Sequence, residues 1–214
     1  MQLINYLNEC FYTKHTLLQL SHISANKLAY LQQQKVMPTA SYRLTIQTSC
    51  QSFLADHSEE SVQEYYAKGY VKWLGVVEAL IEPADIYQYF NKNYRLTIQQ
   101  LKQQGFVCHD EKLHANIDEH ITQEWQHFLN GTYGLCTASG LVQDIARKEF
   151  AITSINELIA ENETSPDLVR LEKAVNLLDS ASALFAPHER INSSRNRLVD
   201  QIRKKYQLTS PQIT

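Results

Sequence analysis

Two segments of the chain concentrate side chains that can bind a ligand or transfer a proton. The first is Gly-Thr-Tyr-Gly-Leu-Cys-Thr at 131–137. Its two glycines permit positive φ and close approach of the backbone to a ligand, and a thiol becomes nucleophilic where its surroundings lower its pKa. We therefore predict Thr132 and Tyr133 as ligand-binding residues and Cys136 as a catalytic candidate. The structural alternative is a helix end and a turn, with Tyr133 packed inward.

The second segment, 185–195, follows a predicted helix and places a histidine, a glutamate, two arginines and two serines within eight residues. His188 and Glu189 are of the types that perform acid–base catalysis. Arginines beside free backbone amides suit a carboxylate or a phosphate. The predicted catalytic residues here are His188 and Glu189, and the predicted ligand-binding residues are Arg190, Ser193, Ser194 and Arg195.

Both segments follow long apolar helical stripes, and helix ends gather unpaired backbone groups. We therefore predict that the two segments line one polar pocket for a small anionic ligand, with Arg190 and Arg195 as its clamp. The alternative is structural: salt bridges to Glu124 or Asp179 would occupy the same arginines. The sequence leaves enzymatic activity open, and a protein partner could take the place of the small ligand.

The first 37 residues predict three short helices, with Thr13 and Ser24 as N-caps. The run from Tyr12 to Ser24, followed by Leu28, Leu31 and the Val-Met-Pro that ends at Pro38, resembles the opening of MerR-type regulators. That resemblance implies a helix-turn-helix whose last helix enters the DNA major groove. The alternative function is therefore a DNA-binding regulator. Its predicted nucleic-acid-binding residues are Asn26, Lys27, Tyr30, Gln33 and Arg43.

Periodicity and breakers predict a mainly α fold. Alternation at 42–47 indicates a short strand, with 51–54 as its partner in a two-stranded ribbon. Ser58 with two following glutamates indicates a capped helix at 59–66. Further helices are expected at 69–81, 83–104, 117–129, 141–159, 168–185 and from 193 onward. The predicted organisation is a helix-turn-helix-like module with the ribbon at 1–55, packed on a larger helical domain at 56–214.

Composition narrows the function classes for these 214 residues. The net charge of −3 combines a basic start (+3 over 1–50) and a basic end (+5 over 190–214) with an acidic centre. No apolar run approaches the roughly 18 residues of a membrane span, and the first residues lack a secretory leader. Cysteines at 10, 50, 108 and 136 are too far apart for a metal or redox motif. We expect a soluble, cytoplasmic protein with four reduced cysteines, no cofactor and no metal site.

Three stretches resemble a known family: Phe-Leu-Asn-Gly-Thr-Tyr-Gly-Leu-Cys-Thr at 128–137, Phe-Ala-Pro-His-Glu-Arg at 185–190 with the following Ser-Ser-Arg, and Gln-Ile-Arg-Lys-Lys-Tyr at 201–206. The chain resembles a bacterial family of unknown function whose members are labelled natural-product biosynthesis proteins. The resemblance extends to Met-Pro-Thr-Ala-Ser-Tyr at 37–42. It implies an accessory role in small-molecule metabolism and assigns no catalytic residue.

Overall fold

The computed structural model describes residues 2–162 and 165–209, and within them the chain is mainly helical with one small sheet. The strands are β1 (Phe11–Thr13), β2 (Tyr42–Gln51) and β3 (Asp56–Ala67). The helices are α1 (Gln2–Cys10), α2 (Lys14–Ser21), α3 (Ala25–Gln33), α4 (Tyr70–Leu80), α5 (Pro83–Gln103), α6 (Ile117–Leu129), α7 (Thr132–Cys136), α8 (Val142–Glu161), α9 (Leu168–Ala181) and α10 (Gln201–Tyr206). A π-helical turn, Asn196–Asp200, leads into α10.

The sheet is antiparallel with the order β1-β3-β2. β2 and β3 form a long hairpin of ten residue pairs, from Tyr42 opposite Tyr65 to Gln51 opposite Asp56. The predicted strand at 42–47 is confirmed, although it is longer than predicted. Its predicted partner at 51–54 is wrong, because those residues form the end of β2 and the turn.

The helix predicted at 59–66 is wrong, since this stretch lies in the middle of β3. The end of the strand is buried on both faces, because successive side chains of a strand point to opposite sides of the sheet. Tyr65 packs on one face of the sheet with Leu7 and Phe11, whereas Tyr66 packs on the other face in the main core. Cross-strand pairing and packing of aromatic residues on both faces outweigh the capped-helix signal at Ser58.

The three predicted N-terminal helices are confirmed, together with both of their caps. Thr13 Oγ1 accepts a hydrogen bond from the amide of Thr16 at 3.2 Å, and Ser24 Oγ accepts one from the amide of Lys27 at 3.1 Å. The boundary predicted at residue 55 falls in the turn between β2 and β3. The two-domain division and the helix-turn-helix assignment remain predictions.

A large apolar core gathers side chains from α2 to α8 around one aromatic cluster. The ring of Trp73 lies 4.8 Å from that of Phe128, and Phe90 lies 5.0 Å from Trp125. The indole of Trp73 donates a hydrogen bond to the carbonyl of Val36 at 2.9 Å, which ties α4 to the chain after α3. Aromatic pairs in edge-to-face geometry contribute stability beyond their buried area.

A second apolar core lies between the end of α8, α9 and the C-terminal helical segment. α8 belongs to both cores: Ile145 and Phe150 lie in the first, and Ile155 and Leu158 in the second. Leu171 and its helical neighbours supply the facing side of α9. The twenty-residue helix α8 therefore connects the two apolar cores.

The starts of the helical segments after 116 and 193 differ in their caps. The hydroxyl of Ser193 accepts a hydrogen bond from the amide of Asn196 at 3.0 Å and so caps the turn that begins there. The Asn116 side chain, by contrast, caps no amide at the start of α6. Asn116 has φ −100° and ψ 19°, outside the extended conformation that an N-cap side chain needs to reach back to the first turn.

Two further expectations concern the oxidation state of the cysteines and the presence of a membrane-spanning helix. All four cysteines are free thiols, as predicted. No helix within 2–162 and 165–209 is both long and apolar enough to cross a bilayer.

Candidate functional site

The first predicted segment begins at a left-handed glycine. Gly131 has φ 78°, which confirms the positive φ expected at the end of α6. A Cβ at this position would stand 2.8 Å from the carbonyl oxygen of Ala40 and 2.9 Å from that of Thr39. Glycine is therefore required both by the backbone and by the close approach of the chain before β2. α7 starts immediately after it.

The end of α7 pairs with the chain that follows α9. Thr137 and Ser182 form an isolated antiparallel bridge. Around it, the amide of Ala138 donates to the carbonyl of Ala181 at 2.9 Å, and the amide of Ala183 donates to that of Cys136 at 3.3 Å. The segment 131–137 thus lies directly beside 181–183, just before the second predicted segment.

A cleft of about 250 Å³ opens beside this bridge. The bridge forms one wall, and the opposite wall comes from α1, β1 and the end of β3. Its lining residues are Tyr6, Cys10, Phe11, Ala67, Lys68, Gly134, Thr137, Ala138, Ser182, Ala183 and Leu184. The first predicted segment supplies two of these lining residues, Gly134 and Thr137. The second predicted segment begins at residue 185, directly after the last lining residue, Leu184.

The two bridge residues differ in how their hydroxyls are satisfied. Thr137 Oγ1 donates to the carbonyl of Tyr133 at 2.6 Å and accepts from the amide of Gly140 at 2.9 Å. Ser182 is only 6% exposed, and its Oγ has no hydrogen-bond partner among the described residues. A buried hydroxyl without a partner is costly. Ser182 also lines the cleft, so its hydroxyl has an unused hydrogen-bonding capacity at the cleft wall.

Positive charge lies at the rim of the cleft. Lys68 is exposed among the lining residues, with its ammonium 5.5 Å from the centre of the Tyr12 ring. Arg190 is also exposed, and its charge acts on the phenol of Tyr6. Burial raises the pKa of Tyr6 to about 12, with Cys10 and Glu189 adding to this rise and the Tyr42 hydrogen bond and Arg190 opposing it. Lys68 therefore places a cation in a lining that carries no carboxylate, whereas Arg190 and Glu189, outside the lining, act on Tyr6 with opposite signs.

His188 and Glu189 stand outside the lining of the cleft. Glu189 Oε2 accepts a hydrogen bond from the hydroxyl of Tyr42 at 2.6 Å, which anchors the second segment to β2. His188 Nε2 lies 3.8 Å from Glu189 Oε1, and the histidine side chain is 60% exposed. Burial and this hydrogen bond raise the pKa of Tyr42. The pair therefore lies near the surface, with Glu189 held by Tyr42 and His188 open to solvent.

Arg195, predicted as half of an anion clamp, is engaged inside the protein. It forms an ion pair with the carboxylate of Asp179, and its guanidinium also donates to the Asp179 carbonyl at 3.0 Å. Arg203 binds the same carboxylate at 2.7 Å. Ser193 caps the following turn, and Ser194 is half-buried. These contacts fasten the C-terminal segment to α9, whereas the side chain of Arg190 is exposed.

Cys136 lies at the end of α7 beside a buried lysine. Burial raises the pKa of the thiol, and Lys148 opposes that rise. The Lys148 ammonium donates to the Cys136 carbonyl at 3.0 Å and lies 5.8 Å from the ring centre of Phe185. A raised pKa keeps the sulfur protonated near neutral pH, which is the less nucleophilic form.

A buried polar network below α7 is not among the sequence-predicted sites. Tyr133 donates a short hydrogen bond to Glu124, and Tyr94 shares one of 2.9 Å with His120. Burial, followed by repulsion from Glu149, raises the pKa of Glu124 to about 7. Burial lowers the pKa of His120 to about 4. Tyr133 therefore points inward, as the structural alternative expected, whereas Thr132 is exposed. The sequence signal was the spacing of His120 and Glu124, four residues apart on one helix.

The residues predicted for DNA contact lie at the surface. Asn26, Lys27, Tyr30 and Gln33 are exposed on α3, and Arg43 is exposed on β2. The ammonium of Lys27 lies 5.7 Å from the ring centre of Tyr30. Across the described ranges, no group of three or more His, Cys, Asp or Glu side chains is arranged to hold a metal ion.

These features define a mainly helical protein with a small antiparallel sheet and a cleft between its N-terminal elements and the loop after α9. Residues 86–207 match a family of unknown function, DUF6058, and the chain belongs to that family. The match includes the three stretches at 128–137, 185–190 and 201–206 but not the stretch at 37–42. Comparison with the curated proteins and with the solved structures gave no match.

Proposed function

We propose that this protein binds a small anionic molecule in the cleft beside the Thr137–Ser182 bridge. The observation that carries the proposal is the hydroxyl of Ser182, which lines the cleft and is buried without a hydrogen-bond partner among the described residues. A ligand that accepts or donates one hydrogen bond there would remove the cost of the unpaired group.

Charge and volume restrict the class of ligand. The ammonium of Lys68 and the guanidinium of Arg190 favour a carboxylate or a phosphate over a neutral or cationic molecule. A volume of about 250 Å³ lies below the roughly 300–1,000 Å³ of most drug-sized pockets. The ligand is therefore a short-chain organic acid or a small phosphate ester, with its apolar part against Phe11 and Leu184.

We propose binding and not catalysis as the primary activity. The polar groups on the wall of the cleft are hydroxyls, a thiol and an ammonium, and burial raises the pKa of that thiol, Cys10. His188 and Glu189 remain candidates for proton transfer to a ligand that extends past the rim. A role in natural-product biosynthesis is a further proposal, which rests only on the family resemblance.

The test is thermal denaturation in the presence of inorganic phosphate, short mono- and dicarboxylates and small phosphate monoesters. We expect at least one class to raise the melting temperature of the wild type. Lys68→Ala should weaken its binding by about tenfold, since a charge-assisted hydrogen bond contributes roughly 1.5 kcal/mol. Lys72→Ala is the matched control, because Lys72 is exposed one turn further along the chain and does not line the cleft. No stabilisation by any class, or equal binding by Lys68→Ala, would refute the proposal.

DNA binding is the second candidate, supported by the four exposed polar side chains on α3. Only one of them, Lys27, is a cation, whereas affinity for DNA depends mainly on phosphate neutralisation by several Lys and Arg. We therefore expect no specific duplex binding at physiological salt. A specific dissociation constant of about 10⁻⁸ M would reverse the order of the two candidates.

A further inference from the structure

The hairpin of β2 and β3 extends beyond the two cores as an arm. From Gln47 to Ser61 every residue is exposed, so both faces of the ribbon are open to solvent. At the tip, Phe53 and Leu54 are 102% and 89% exposed. An isolated two-stranded hairpin is marginally stable in water. An arm of this length with an apolar tip therefore indicates a partner surface.

The two edges of the arm differ in protection. The outer edge of β3 is bordered near its end by β1 and by α2, where Lys14 binds Glu64 at 2.9 Å. β2 has β3 on one side and no strand on the other within the described chain. Natural proteins protect open edges with charges, prolines or bulges. The eleven residues from Leu44 to Leu54 contain no charged residue and no proline.

The distribution of charge on the arm favours a second copy of this chain as the partner that pairs with the open edge of β2. All the acidic residues of the arm lie on β3: Asp56, Glu59, Glu60 and Glu64. Pairing two copies through β3 would bring these carboxylates together, whereas β2 carries Arg43 as its one charged residue, so pairing through β2 leaves the acidic strands outside. An antiparallel pair of identical strands also satisfies twofold symmetry, the commonest symmetry of homo-oligomers.

The contact area sets the expected strength. A ten-residue strand is about 34 Å long and a sheet is about 10 Å thick, so edge pairing covers on the order of 340 Å² of each copy. Adding roughly 200 Å² for Phe53 gives about 1,100 Å² for the pair, slightly below the range of stable complexes. We propose that this protein forms a weak twofold dimer by antiparallel pairing of β2 with the β2 of a second copy.

The test is sedimentation velocity between about 1 and 200 µM. We expect reversible dimerisation with a dissociation constant in the micromolar range. Thr45→Lys with Ser49→Lys puts like charges on both copies of the edge and should raise that constant at least tenfold. Ser58→Lys with Ser61→Lys is the control, because it adds the same charge to β3 of the same arm. Phe53→Ser should weaken the dimer less than the edge variant.

Hydrogen exchange of the wild type gives an independent measurement that requires no variant. The amides of 44–51 that point away from β3 should be protected at high protein concentration and unprotected at low concentration. A monomer at 200 µM, equal effects of the two lysine pairs, or exchange of 44–51 that does not depend on concentration would each overturn the proposal.

Discussion

Replacing Ser182 with alanine should stabilise the unliganded protein. The Ser182 hydroxyl is buried without a partner, whereas Thr137, opposite it in the same bridge, has two hydrogen bonds. An unpaired buried group costs roughly 1–3 kcal/mol. From the lower end of this range, we expect Ser182→Ala to gain about 1 kcal/mol in free energy of unfolding. For a chain of this size that raises the melting temperature by roughly 2–4 °C.

Thr137→Val is the matched control for this experiment. It keeps the shape of the side chain but leaves the buried amide of Gly140 without its partner, whereas the Tyr133 carbonyl keeps the hydrogen bond from the amide of residue 137. We expect a loss of about 2 kcal/mol. Urea unfolding followed by circular dichroism measures both variants. A Ser182→Ala protein that is destabilised as much as Thr137→Val would show that the hydroxyl is already satisfied, and the argument for the cleft would fail.

Three further predictions follow from the polar network, the Asp179 ion pairs and a tightly packed glycine. The folded pKa of Glu124 is about 7, above its ordinary value of 4.5, so its burial costs stability as pH rises from about 4.5 to about 7. Glu124→Gln should therefore match the wild type at pH 4.5 and exceed it at pH 8, on the order of 2–3 kcal/mol in urea unfolding. Arg195→Ala breaks the pair with Asp179 and should lower the free energy of unfolding by about 1.5 kcal/mol. Gly134→Ala should cost roughly 1–3 kcal/mol by overpacking, because a Cβ would clash with Ser41 and lie 2.7 Å from the Tyr70 hydroxyl.

Each of these predictions has a control variant or an outcome that would contradict it. Gly75→Ala is the control for Gly134→Ala, because a Cβ at position 75, in the middle of α4, would meet nothing within 4 Å. This control variant should raise the free energy of unfolding by about 0.5–1 kcal/mol. Arg195→Ala should keep ligand-induced stabilisation, and losing it would restore Arg195 as a ligand contact. A stability difference between Glu124→Gln and wild type that stays constant with pH would contradict the raised pKa.

The helices could be predicted from sequence because their signals are local. Apolar spacing located α6, and Thr13 and Ser24 marked the starts of α2 and α3 through hydrogen bonds spanning three residues. The strand β3 could not be predicted from local signals, because its stability comes from pairing with β2 and from packing Tyr65 and Tyr66 on opposite faces. Such tertiary contacts override local preference.

The site could be predicted only on one of its walls. The segment 131–137 reaches the cleft through Gly134 and Thr137, whereas none of the predicted catalytic or ligand-binding residues is among the lining residues. The opposite wall, with Tyr6, Cys10 and Lys68, is distant in sequence and carries no motif. The partner of Arg195 could be named only as an alternative, Asp179, because periodicity does not determine which carboxylate a long side chain reaches.

The continuity of α8 through both apolar cores has a consequence for how the molecule unfolds. Phe150 lies in the first core and the adjacent Ala151 in the second, so unfolding of α8 at this junction exposes apolar surface of both cores. The two cores should therefore unfold as a single cooperative unit. The amides around Phe150 and Ala151, where the cores meet, should exchange with solvent only through global unfolding, later than those of the exposed arm.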